Sequence, residues 1–255
     1  MVELNTIYNE DCIKTIGRMD NNLLDLVVTS PPYNVDLGNN KYHKNPYDIY
    51  IDNKDHHEYI NWLANIFKAL YPKIKSGGRL CVNIGDGKNG AVPTSSDLLQ
   101  KCVDIGYIPM SHIIWNKFQV GPRTAWGSWK SPSSPSFPTP FEHMLVFCKD
   151  TNKLQWKGET DLLREEFIDW SLAMWKFAPE TKQKQYGHNA MFPVELPVRC
   201  IKMFSWIGSV VYDPFMGAGT TAVACKLHNR NFIGSEISAA YCKTARERIR
   251  NGKEI

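Results

Sequence analysis

Six residues, Thr29-Ser30-Pro31-Pro32-Tyr33-Asn34, leave an apolar run, Leu23-Leu24-Asp25-Leu26-Val27-Val28, that reads as a buried strand. The set places a small hydroxyl, two stiff prolines and an aromatic ring at one strand end. Each proline holds its φ at about −65°, so the carbonyl direction there is preset. A second set, Asp213-Pro214-Phe215-Met216-Gly217-Ala218-Gly219-Thr220-Thr221, lies between a strand and a helix. Glycines at such a corner let a ligand approach the backbone closely, and a helix N-terminus follows. A phosphate loop would need Gly-Lys-Ser/Thr, but Gly219 is followed by Thr220. The third glycine of a dinucleotide fingerprint is also missing. What remains is a glycine turn with an acid, Asp213, suited to a positively charged nucleoside. Glu236 ends the next strand, where nucleotide-binding α/β folds place a carboxylate on ribose hydroxyls.

Alternating periodicities must position these sets. Strands are expected at 23–30, 79–86, 107–117, 143–149, 209–215 and 231–237. Helices are expected at 57–75, 95–106, 194–205, 220–229 and 239–251. Gly77-Gly78 is expected to stop the first of these helices. Strands alternating with helices predict an α/β fold, a doubly wound and mostly parallel sheet. Two stretches break the rhythm. Residues 34–56 are polar, and 118–142 are rich in proline and serine around Trp126 and Trp129. Loops of that length inside a domain are usually functional or disordered, and the tryptophans favour a substrate-binding insert.

With 43% hydrophobic and 22% charged residues, the chain is an ordinary globular protein rather than a disordered one. No window is apolar enough for a membrane span, and no secretory signal is visible at the N-terminus. The seven cysteines are scattered without a CxxC pair, and the histidines form no metal-binding pattern, so no metal is expected. A net charge of +4 permits a polyanionic partner without demanding one.

Together, TSPPYN and DPFMGAGTT resemble the S-adenosylmethionine-dependent DNA methyltransferases that methylate exocyclic amino groups. In that family a [D/N/S]-P-P-[Y/F/W] motif is catalytic and D-P-F-x-G-x-G-T-T binds the cofactor. The catalytic motif comes first here, which resembles the β group. The resemblance implies a seven-stranded Rossmann-like sheet with a circularly permuted motif order. It divides the chain into a catalytic part at 1–117, a target-recognition insert at 118–190 whose strand 143–149 returns to the sheet, and a cofactor-binding part at 191–255. It implies cofactor contacts at Asp11 (on the adenine amino group), Phe192, Pro193, Asp213, Pro214, Phe215, Gly217, Gly219, Thr220, Thr221 and Glu236.

The chemistry suits the motif. The lone pair of an exocyclic amine is delocalised into its ring, so direct attack on a sulfonium methyl requires that pair to be relocalised. The Ser30 hydroxyl and the Pro31 carbonyl, with Pro32 stiffening the turn, would accept both N–H bonds. Tyr33 would stack on a base flipped out of the duplex, worth roughly 1–3 kcal/mol. Asn34 has no firm role at this level. Serine in the first position is typical of enzymes acting on cytosine N4, and Asp or Asn of adenine N6; the adenine alternative stays open. Methylation at carbon 5 of cytosine would need a Pro-Cys nucleophile, which is absent.

Duplex DNA is the implied partner, contacted by Lys41, Lys44, Arg123, Trp126, Trp129 and Lys130, with Lys182, Lys184 and Tyr186 as a further cluster. A cognate restriction endonuclease, a homodimer and a prokaryotic or phage-type cytoplasmic setting follow from the resemblance alone. More distant readings are an RNA or protein-glutamine methyltransferase, disfavoured by the motif order, and a DNA-binding relative without catalysis.

Overall fold

All six residues of Leu24–Thr29 are buried, as a strand covered on both faces of a parallel sheet must be. The computed structural model describes residues 1–34, 53–118, 127–181, 186 and 191–251. Its strands are β1 (Thr6–Tyr8), β2 (Leu24–Thr29), β3 (Ile74–Ile84), β4 (Ile108–Asn116), β5 (Phe141–Cys148), β6 (Met174–Lys176), β7 (Val210–Asp213) and β8 (Asn231–Ser235). They form one sheet in the order β1-β8-β7-β2-β3-β5-β4-β6. Among the described residues only β5 is reversed, lying antiparallel to β3 on one side and β4 on the other.

The helices are α1 (Cys12–Gly17), α2 (His56–Leu70), α3 (Thr94–Ile105), α4 (Arg164–Trp170), α5 (Glu195–Phe204), α6 (Thr220–Leu227) and α7 (Ala239–Asn251). One core packs α1, α2 and α3 on the sheet through Ile16, Leu63, Phe67, Leu98 and Val27. A second core, on the other face, joins α5, α6 and α7 through Leu196, Ala222, Ala245 and Val28. This is the doubly wound α/β class expected from the alternation, and the Rossmann-like sheet that the resemblance implies. Helix α2 is set by Asp55, whose carboxylate caps the backbone N–H groups of His57 and Glu58. Its buried face runs Tyr59, Ile60, Leu63, Ile66, Phe67 and Leu70, the spacing of one helical stripe. Burying each large side chain of that stripe contributes roughly 1.5–3 kcal/mol.

Three expectations change. The sheet has eight strands rather than seven, because β6 adds at the edge beside β4. Three residues are too short to show a period, yet Trp175 within them is fully buried. Helix α2 ends before Pro72, not at residue 75, since proline there removes a helix donor. Gly77 and Gly78 therefore do not stop a helix. They lie inside β3 at a bulge against β2, where Gly77 has φ +78° and an added Cβ would sit 2.3 Å from the Lys153 carbonyl oxygen.

Candidate active site

Strands β2 and β7 are 184 residues apart at Thr29 and Asp213, yet they are neighbours in the sheet and parallel. Both sequence motifs leave the C-terminal ends of these strands, so the fold brings them side by side, at the crevice where open α/β sheets bind ligands. Asp213 ties them together. Its carboxylate accepts from Thr29 Oγ1 at 2.8 Å, from Thr221 Oγ1 at 2.6 Å and from the Phe215 N–H at 3.0 Å. At 1% exposure it is buried among these partners and joins the two motifs.

Burial pushes the Asp213 carboxyl up to about 6, against the hydrogen bonds from Thr221, Thr29 and Phe215 that pull it down. A carboxyl raised in the folded state binds more protons folded than unfolded between about pH 4 and 6. Its contribution to stability is therefore full below that window and lost as pH rises through 6. The shift from 3.8 to about 6 corresponds to roughly 3 kcal/mol at neutral pH. Asp213→Asn, which cannot ionise, should lack this dependence. Urea titrations at pH 7.5 and pH 5 should show wild type gaining about 1 kcal/mol on acidification relative to the variant. Parallel pH profiles in the two proteins would refute it.

The glycine turn is built for close approach. Gly217 and Gly219 have φ of +52° and +85°, and Gly219 is the residue before α6. Glu236, at the end of β8, accepts from the Gly217 N–H and the Ser238 N–H at 2.8 Å each, and burial raises its carboxyl. One backbone donor per oxygen leaves lone pairs on both oxygens, as a ribose diol needs. Asp11 caps α1 through Oδ1 on the Ile13 N–H at 2.8 Å and is exposed after β1, the strand that pairs with β8. Phe192 and Pro193 are half-buried just ahead of α5, and Phe215 stands against Trp62 of α2 with ring centroids 5.6 Å apart. Pro214 is buried in the turn, and Thr220 and Thr221 are buried at the start of α6. An exposed carboxylate, a partly free one and a glycine turn between them fit an adenosyl ligand.

At the other motif, Ser30 Oγ donates to Tyr33 Oη at 3.0 Å. Tyr33 in turn donates to Glu142 Oε2 at 2.8 Å. Asn83 Nδ2 lies 2.6 Å from both Tyr33 Oη and Glu142 Oε2, and Lys117 Nζ pairs with Glu142 Oε1 at 2.6 Å. The Tyr33 ring lies on the backbone of Gly85, where an added Cβ would sit 3.2 Å from two ring carbons. Tyr59 of α2 donates to the Pro32 carbonyl at 2.6 Å, which holds the second proline. Pro31 is buried. Asn34, with φ +56°, acts as a clasp: Nδ2 donates to the Lys54 carbonyl at 2.8 Å and Oδ1 accepts from the Lys54 N–H at 2.7 Å. Helix α2 thus supports both motifs from one face, Tyr59 under the prolines and Trp62 against Phe215.

A family model described as DNA methylase matches residues 24–247. The chain belongs to this family, the N6 and N4 amino-methyltransferases of DNA. The type II methyltransferase M.MjaVI of Methanocaldococcus jannaschii is 36% identical over 181 residues, which is 70% of this chain and 88% of that protein. A crystal structure of a DNA modification methylase from Thermus thermophilus matches with a TM-score of 0.75 at 25% identity, over 96% of this chain and 94% of the other. The same protein complexed with S-adenosyl-L-methionine matches in fold with a TM-score of 0.73 at 24% identity, over 98% and 96%.

The DNA-facing expectations for the methylase divide. Lys41, Lys44, Arg123, Trp126, Lys182 and Lys184 lie outside the described residues. Trp129 is 64% exposed, with the Lys130 ammonium 5.8 Å from its ring centroid. Phe137 and Phe118, which the sequence does not single out, are 69% and 61% exposed on the same insert. Tyr186 is a correction. It is buried against Met191 and Ala218, with the Arg248 guanidinium 4.3 Å from its ring centroid, and so packs on the glycine turn rather than standing open to DNA. Arg248 also donates to the Ala218 carbonyl at 2.7 Å. Asn83, Lys117, Glu142, Tyr59 and Trp62 escape sequence reasoning altogether. Each is an unremarkable polar or aromatic residue in or beside its own strand or helix, and no local pattern marks it.

Proposed function

We propose that this methylase transfers a methyl group from S-adenosyl-L-methionine to the N4 amino group of a cytosine flipped out of duplex DNA. The observation that carries the base assignment is Ser30, a neutral hydroxyl at the first motif position, whose proton is directed to Tyr33 and whose lone pairs are left for an amine. Ser30 and the Pro31 carbonyl hold the amine, Tyr33 holds the ring, and the turn from Asp213 to Thr221 with Asp11, Phe192, Pro193 and Glu236 holds the donor. The complex of the Thermus relative with S-adenosyl-L-methionine supports the choice of donor.

Residues 1–117 would carry catalysis, 118–190 target recognition, and 191–255 the cofactor. Target DNA would lie against Trp129 and Lys130. The name of the Methanocaldococcus relative supports a type II restriction–modification setting, with a cognate endonuclease and a prokaryotic cytoplasm. A homodimer rests on the family resemblance. Among the described residues no helix is long and apolar enough to cross a membrane.

Sequencing that reads modified bases, applied to DNA from cells expressing the protein, tests the assignment. N4-methylcytosine at a recurring sequence is expected. N6-methyladenine there would overturn the base choice and leave the rest standing. Calorimetric titration with S-adenosyl-L-methionine should show binding; none at millimolar ligand would leave only a non-catalytic relative.

A further inference from the structure

A serine at the first motif position poses a proton problem. Methyl transfer leaves the amine nitrogen with one proton too many, and a lone hydroxyl is too weak a base to keep it. An aspartate there would carry its own charge. In this chain a carboxylate stands two hydrogen bonds further on. Ser30 donates to Tyr33 at 3.0 Å and Tyr33 donates to Glu142 at 2.8 Å, so both hydroxyl protons point toward one carboxylate. Glu142 is held in place by Lys117 on Oε1 and by Asn83 on Oε2, at 2.6 Å each, and its side chain is 14% exposed. Asn83 also reaches the Tyr33 oxygen, and Gly85 lets the ring settle against the end of β3.

We propose that Glu142 is the terminal proton acceptor of the reaction, reached from Ser30 through the Tyr33 hydroxyl. The proposal rests on the placement of Ser30 and Tyr33 at the target amine. Bound S-adenosyl-L-methionine supplies the methyl carbon, whose bond to sulfur breaks with its electron pair remaining on sulfur as the amine lone pair forms the new N–C bond. Ser30 Oγ then takes one proton from the nitrogen as its own proton passes to Tyr33 Oη. The Tyr33 proton passes to Glu142 Oε2. The methylated base is left neutral, and Glu142 is left as a carboxylic acid beside Lys117, which is 25% exposed and opens the pair to water. Before transfer, the same chain turns the Ser30 lone pairs away from Tyr33 and toward the amine. Glu142 is thus a positioning residue as well as the proton's destination.

Lys117 follows β4, and Tyr33 is the titratable group of the motif loop. His143, the next residue of β5, points to the opposite face, where it meets Asp86 at 3.2 Å and His112 at 2.8 Å.

The test is single-turnover transfer of labelled methyl from S-adenosyl-L-methionine to unmethylated plasmid DNA, followed across pH, for wild type, Tyr33→Phe, Glu142→Gln and the double variant. Tyr33→Phe keeps the ring for stacking and removes only the hydroxyl. Both single variants should lose roughly 10²-fold or more in rate. The double variant should lose little beyond either one, because the residues act as a unit. The rise of the wild-type rate with pH should vanish in Glu142→Gln. Cofactor affinity by calorimetry and the melting temperature should stay near wild type in Tyr33→Phe. A Tyr33→Phe rate within about threefold of wild type would overturn the relay, as would an unchanged pH profile in Glu142→Gln. Ser30→Ala serves as the separate arm. Its loss of transfer supports the placement of the amine even if the Glu142 arm fails, and its retention of transfer sinks both.

Discussion

Ser30→Ala should lower single-turnover methyl transfer by roughly 10²–10³-fold while leaving affinity for S-adenosyl-L-methionine within about twofold. The magnitude is that of removing one aimed polar contact from a developing charge, about 2.7–4 kcal/mol. The split between rate and affinity follows from position. Ser30 sits at the end of β2 and bonds Tyr33, whereas the glycine turn proposed to hold the cofactor follows β7 and is held through Asp213 by Thr29 and Thr221. Alanine removes neither of those threonines. The fold should tolerate the change, because Ser30 is half-buried and its side chain bonds Tyr33, which keeps Asn83 and Glu142. Labelled-methyl transfer and calorimetric titration on the same preparation check it. A variant that keeps its rate would remove Ser30 from the chemistry.

Gly219→Ala should destabilise the protein by roughly 2–5 kcal/mol and weaken cofactor binding with it. Two costs add. The backbone there has φ +85°, a conformation that costs an L residue on the order of 1–3 kcal/mol. The new Cβ would also sit 2.8 Å from the Ala245 Cβ and 3.0 Å from its Cα, so α7 must move, at about 1–3 kcal/mol. Moving α7 disturbs Arg248, which holds the Ala218 carbonyl at the centre of the turn. Gly208 is the matched control. It has φ +81° with nothing within 4 Å of an added Cβ, so Gly208→Ala should show the backbone cost alone. Urea unfolding of both variants separates the two causes. Equal losses would refute the packing contribution at Gly219.

The two motifs and most of the longer elements of this protein are legible along the chain. The motifs at 29–34 and 213–221 stand out because each is a strand end followed by a turn, and proline and glycine write such turns directly into the sequence. The alternation of helices and strands stands out because burial on a sheet face or a helix stripe leaves a period. Motif order points to the methyltransferase family for the same reason: it is read from one end to the other. Gly77-Gly78 misleads because a glycine pair ends helices and breaks strands alike, and only the pairing of β2 with β3 shows a bulge. Tyr186 looks like a DNA contact because its neighbours are lysines, and only the packing of α7 puts it under Arg248.

The company of Tyr33 is a different matter, settled by packing across the sheet. Asn83, Lys117 and Glu142 come from three separate strands or their ends, and Glu142 is 109 residues away from the ring it holds. Its arrival depends on the one reversed strand. Because β5 runs antiparallel to β3, its first residues lie beside the last of β3, with His143 opposite Ile84, at the edge where the parallel strands end. Run the other way, β5 would carry Glu142 to the far side of the sheet. Strand direction and order are fixed by contacts across the whole sheet and leave no period in the sequence of any one strand. The serine proposed to hold the amine can therefore be read from six consecutive letters, and the carboxylate that Tyr33 bonds cannot.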